Sequence, residues 1–128
     1  MYFLYKQGLE ILTPSVELTE EEIVKMINLF KQTFQIEPNV EILGYGRVEN
    51  MIIKGNILEI EKDDYSYNLV DQKERKFPVY FDGLYTHVLN YENKQVLNPS
   101  ALKEIASIRL DFYDEKEPDI RKAVKPFQ

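Results

Sequence analysis

Among its 128 residues the chain has a single histidine, His87, and no cysteine or tryptophan. The absence of cysteine removes disulfide frameworks, thiolate nucleophiles and cysteine-ligated zinc together. A lone histidine has no second His or Cys to complete a site, so catalysis here would have to rest on carboxylates and tyrosines. Long apolar runs are missing as well. Met51-Ile52-Ile53 and Tyr2-Phe3-Leu4-Tyr5 fall far short of the ~20 residues that span a bilayer. The start lacks a basic segment and a small-residue cleavage site, so it does not read as a secretory signal, and the cytoplasm is the expected location. Basic residues are outnumbered, 16 Lys and Arg against 22 Asp and Glu, for a net charge of −6. That balance argues against docking on nucleic-acid phosphates, which requires clustered cations. A basic protein surface, a cation or a small ligand stays compatible.

What is present is the mixture of an ordinary globular chain, 44% hydrophobic and 30% charged, with no internal repeat. Its length suits one domain over residues 1–128. Thr19-Glu20-Glu21-Glu22 has the form of a capping box, and Ile23, Met26, Ile27, Phe30 and Phe34 follow at the spacing of one helical stripe. The pattern predicts a helix over about residues 20–35, ended by Pro38.

From Val40 to Tyr91 the chain turns to short Val, Ile, Tyr and Phe segments separated by Gly44, Gly46, Gly55-Asn56 and Asp82-Gly83. These read as antiparallel strands. Asp82-Gly83 is the best two-residue hairpin signal, and Lys54-Gly55-Asn56 a weaker one. Gln72 to Lys76 is a charged turn, and Pro78 suits a sheet edge or strand start. Tyr2 to Leu12 is expected as a strand or a hairpin bent at Gln7-Gly8. A short helix is expected after Asn98-Pro99-Ser100, then a strand through Ile108, Leu110 and Phe112, and a brief helical turn at Ile120 to Val124. The fold class is therefore α+β: a curved antiparallel sheet of about five to seven strands packed on one N-terminal amphipathic helix, with a short C-terminal helix. In element order this resembles the cystatin-like and helix-grip folds.

Four groups of residues have the composition to carry a function. Asp82, Tyr80, Tyr85 and His87 cluster at the predicted hairpin, where a histidine beside a carboxylate serves acid–base work. Asp82 is already accounted for by its turn, and His87 with Tyr85, Leu89 and Tyr91 shares one strand face, so the plainer reading is a histidine packed in an aromatic patch. Any pocket there would hold Tyr85, His87 and Tyr91. Glu59, Glu61 and Asp63 alternate along a predicted strand continued by Tyr65 and Tyr67, which makes an acidic face suited to docking. The spacing of a calcium loop is absent, and no metal is expected. Tyr113 and Asp114 sit in the acidic stretch Asp111 to Asp119, where charge would steer a basic partner. Gly44-Tyr45-Gly46-Arg47 has neither phosphate-loop motif and reads as a bulge or bend.

These features favour a small, acidic, non-catalytic protein-binding module of the inhibitor, immunity or accessory type, engaging a basic protein surface without a cofactor. One alternative is a ligand-binding or enzymatic domain with a cavity near His87. Another is a structural subunit of a homo-oligomer or phage particle whose sheet edge pairs with a neighbour.

Overall fold

A computed structural model describes residues 1–96 and 103–128. The capping box forms: Thr19 Oγ1 accepts from the Glu22 amide at 3.3 Å, and the Glu22 carboxylate accepts from the Thr19 amide at 2.8 Å. With Glu20, Glu21 and Glu22 at the positive end of its dipole, the helix runs Glu20–Phe34 and stops where Gln35 turns left-handed at φ 56°. Ile23, Ile27 and Phe30 of the predicted stripe are buried.

Ahead of this helix, Tyr2–Lys6 is helical rather than extended. The aromatic residues that suggested a strand pack instead on the long helix, where Tyr2 stacks on Phe34 with centroids 3.8 Å apart and planes 3° from parallel. The two helices are α1 (Tyr2–Lys6) and α2 (Glu20–Phe34).

Five strands follow: β1 (Glu41–Lys54), β2 (Tyr67–Val70), β3 (Lys76–Phe81), β4 (Tyr85–Gln95) and β5 (Ser107–Leu110). They form one sheet in the order β2-β3-β4-β1-β5. All pairings are antiparallel except β1 with β5, which is parallel. The α+β class expected from the sequence is the one observed, with that parallel edge as a departure. The Asp82-Gly83 hairpin joins β3 to β4, with Gly83 at φ +102°. Lys54-Gly55-Asn56 makes no hairpin, because β1 takes β4 as its partner and residues 55–66 form a loop. Pro78 lies inside β3, paired with Asn68. Of the helix expected after Asn98, residues 98–102 lie outside the described residues, and 103–106 are not helical, with Lys103 and Glu104 in a turn. A final helix, α3, spans Glu117–Val124 and leads into a 3₁₀ turn at Lys125–Phe127.

One core cluster sets Ile23 and Ile27 of α2 on Val40, Ile42 and Val96, joined by Ile108 and Phe127. A second joins Val79 and Val88 to Ile60. Full burial of each such side chain is worth about 1.5–3 kcal/mol. The loop bearing Ile60 is held by Asn56, whose side chain donates to the Ile60 carbonyl at 2.7 Å and accepts from its amide at 2.9 Å.

Two glycines let β5 and the segment after it close on β1. A Cβ on Gly44 would meet Ile108 Cγ2 at 2.2 Å; one on Gly46 would lie 2.6 Å from the Asp111 carbonyl oxygen, and Gly46 has φ +135°. Of the bulge or bend expected at this motif, a bulge is present: from Leu43 to Tyr45 β1 advances two residues while β5 advances one, from Arg109 to Leu110.

Candidate ligand groove

Val79 pairs with Val88 and Tyr80 with His87, so the valines face the core of Ile60 and alternation turns Tyr80 and His87 to the opposite side of the sheet. There the imidazole stacks on the Tyr80 ring, with centroids 4.6 Å apart and planes 7° from parallel. Asp82 approaches it from the hairpin. One carboxylate oxygen caps the turn by accepting from the amides of Leu84 (2.8 Å) and Tyr85 (2.7 Å). The other lies 2.8 Å from His87 Nε2. The turn role read from the sequence and a role beside the histidine thus belong to the same side chain.

The second partner of His87 is Glu49, whose Oε2 lies 2.5 Å from Nδ1. Strict alternation back from the Ile52–His87 pair would turn Glu49 to the other face. Between Met51 and Glu49, however, β1 advances two residues while β4 advances one, from Val88 to Leu89. This bulge rotates Glu49 onto the face of His87. A wider irregularity follows: Arg47 pairs with Asn93 and Glu49 with Leu89, leaving Asn90, Tyr91 and Glu92 opposite Val48 alone. Arg47 fills it, donating from Nη1 to the carbonyls of Asn90 (2.9 Å) and Tyr91 (2.5 Å). Its Nε is buried without a partner among the described residues.

His87 retains 9% of its surface exposed. Burial by itself would push the imidazole pKa down, but the hydrogen bonds to Glu49 and Asp82 outweigh it, so the pKa stands above the ordinary value. Asp82 is held down to about 2 by the Tyr85 amide, then by His87 and the Leu84 amide. The two hydrogen bonds favour the protonated ring, and with it charges along the array alternate: carboxylate, imidazolium, carboxylate. Both ring nitrogens are occupied, so the array meets solvent through its two carboxylates, Glu49 with 41% and Asp82 with 38% of the side chain exposed; of the two, Glu49 lines the groove described next.

Glu49 and Tyr80 form part of a groove of about 640 Å³ that also includes Arg47, Arg109, Asp111 and Tyr113, over an apolar floor of Leu43, Val48 and Leu89. Tyr65, Tyr80 and Tyr113 make one aromatic cluster, with centroids 5.0–5.6 Å apart. Burial first, then the neighbouring Asp114, pushes the Tyr113 phenol up to about 12, and burial also raises Tyr80. Both phenols are protonated donors at neutral pH. Across Arg47 lies a second pocket of about 580 Å³, lined by Tyr45, Asp114, Glu115 and Asp119 among others.

The structure brings together some residues singled out in the sequence and separates others. Tyr65, Tyr80, Asp82, His87 and Tyr113 converge from distant parts of the chain. Tyr91 does not join them; its ring packs on Phe77 (5.4 Å) beneath the Arg75 guanidinium (4.9 Å). Tyr85 is half-buried at the start of β4. The strand expected through Glu59, Glu61 and Asp63 is a loop, and left-handed backbone at Glu59 (φ 52°) and Asp63 (φ 59°) breaks the alternation that would have aligned them. Tyr67 is exposed on the edge strand β2. Glu49 and Arg47 were missed as site residues because no local motif marks a bulge whose register depends on the partner strand.

Among the described residues, no group of three His, Asp or Glu side chains is placed to hold a metal ion, and no helix is long and apolar enough to cross a membrane. No protein-family model, curated protein or solved structure matches this chain.

Proposed function

We propose that the protein binds a small ligand in the groove bounded by Glu49, Tyr80 and Tyr113. The observation that carries this reading is the placement of a buried, two-sided His87 ion array against an open cavity. Burying an ionisable ring is costly unless partners hold it, and such arrangements concentrate at functional sites. The groove has the size of a small-molecule site, an apolar floor and a few convergent polar groups. The tyrosines serve this reading better than protein docking. Docking through tyrosines needs several of Tyr45, Tyr65, Tyr67, Tyr85, Tyr91 and Tyr113 exposed on one face, but Tyr45 is buried, Tyr85, Tyr91 and Tyr113 are half-buried, and Tyr65 and Tyr67 are exposed.

Fragment screening by amide-resolved NMR tests the proposal. The expected result is a set of fragments with Kd below about 1 mM that shift the amides of Val48, Glu49 and Leu110 to Tyr113. A library that leaves those amides unmoved at millimolar concentration overturns it.

A second reading, docking on a basic protein surface, keeps support from Glu59, Glu61 and Asp63. All three are exposed and make no ion pair among the described residues. Affinity capture from cell extract at low and high salt checks it, since a steered acidic interface weakens as salt rises. A partner held equally at both salts contradicts it.

A further inference from the structure

Resting on the groove reading above, we propose that the ligand is a ring-bearing amine whose ammonium group docks on Glu49 while its ring lies against Tyr80 and Tyr113. Most charges of the groove are already engaged. Arg109 is engaged by Glu41 (3.4 Å) and Asp111 (3.1 Å). Arg47 spends Nη1 on two carbonyls, and its Nε is buried. Asp111 also lines the groove and is 46% exposed, but it is already paired with Arg109; Glu49 has one oxygen on His87 and is 41% exposed, so its second oxygen is a charged acceptor with capacity left. The sign sequence of Asp82, His87 and Glu49 ends on a negative charge at the groove, and its next complementary place belongs to a cation.

The aromatic surroundings agree. The faces of tyrosine rings attract an ammonium as well as a flat apolar group. Asp114 stands close enough to Tyr113 to raise its phenol pKa, and the chain carries a net charge of −6, so the field around the groove favours a cation's approach. The groups facing His87 are Glu49 from β1, Tyr80 from β3 and Asp82 from the hairpin, with Tyr65 and Tyr113 beyond Tyr80 and Arg47 along β1. The groove's own cations, Arg47 and Arg109, are already engaged, Arg47 by two carbonyls and Arg109 by Glu41 and Asp111, and the His87 ring stands behind Glu49.

The test compares three probes of one shape on the intact chain at pH 7: benzylamine, benzyl alcohol and benzoate. Binding is followed by the groove amides and by the His87 Cε1–H resonance, which stands alone because the chain has one histidine. Benzylamine should bind about tenfold or more tighter than either other probe. It should also lower the His87 titration midpoint, because a bound cation opposes the imidazolium. In Glu49→Gln the preference for the amine should vanish; the comparison among probes needs no variant and stands if that one is unstable. Benzoate or benzyl alcohol shifting the groove amides at equal or better affinity overturns the amine assignment and leaves the groove as a site. If none of the three moves those amides, the amine assignment fails, and a blank library screen as well would remove the groove reading with it.

Discussion

Replacing Gly46 by alanine perturbs the point on which the groove wall depends. Gly46 sits in β1 at φ +135°, a conformation that side-chain-bearing residues rarely adopt, and its new Cβ would come 2.6 Å from the Asp111 carbonyl oxygen and 2.9 Å from Asp111 Cβ. The strained backbone costs roughly 1–3 kcal/mol, and forcing a methyl against backbone adds about 1–3 kcal/mol. A total loss of about 2–6 kcal/mol is expected, or a fall in Tm of about 8 °C or more for a domain of this size. Gly55→Ala supplies the control, because Gly55 also has positive φ (+94°) but meets nothing within 4 Å, so it carries the strain without the collision. Urea unfolding followed by tyrosine fluorescence and circular dichroism measures both variants. The contact predicts that Gly46→Ala is the less stable of the two and that the amides of Leu110 to Tyr113 shift. Equal stability of the two variants, or a Gly46→Ala loss under about 0.5 kcal/mol, refutes the close approach of Asp111 to β1.

Thr19→Ala should cost about 1 kcal/mol by opening the capping box of α2, read from the urea midpoint at unchanged slope. Ile27→Ala, at a fully buried position, should cost about 2–5 kcal/mol; a loss under 1 kcal/mol would mean that α2 does not pack on the sheet at Ile27. Asp82 has a folded pKa near 2, below the ordinary aspartate value of about 3.9. Its stabilisation is therefore present above the ordinary value and lost as pH falls toward 2. Asp82→Asn should flatten that acid limb of the stability curve, and an unchanged limb would contradict the assignment.

Much of the fold was written in short-range signals. The Thr19–Glu22 box, the stripe from Ile23 to Phe34 and the Asp82-Gly83 turn each act within a few residues, so each could be read without knowing what lay across the sheet. The misreadings have the opposite character. Tyr2 to Lys6 has strand-like composition, but stacking on Phe34 outweighs it. Glu59 to Asp63 alternates like a strand, yet Asn56 and the burial of Ile60 hold it as a loop. β5 is parallel to β1, a pairing decided by where the chain returns after β4.

The candidate site follows the same division. Asp82, His87 and Tyr80 were visible as neighbours on one hairpin. Glu49 reaches His87 through a register shift between β1 and β4, and period-two counting places it on the wrong face. Tyr91 shows the converse error, since three β4 residues opposite Val48 carry it to Phe77 and away from the face it would have shared with His87.

NMR titration of the His87 Cε1–H resonance reads directly whether the ring is held as a buried cation between Glu49 and Asp82. The folded chain should show one midpoint above the ordinary imidazole value of about 6.5, and Glu49→Gln should lower it. The stability His87 contributes should accordingly be full below that ordinary value and be lost as pH rises through the folded midpoint. A wild-type midpoint at or below about 6.5, or one that Glu49→Gln leaves unchanged, contradicts the account.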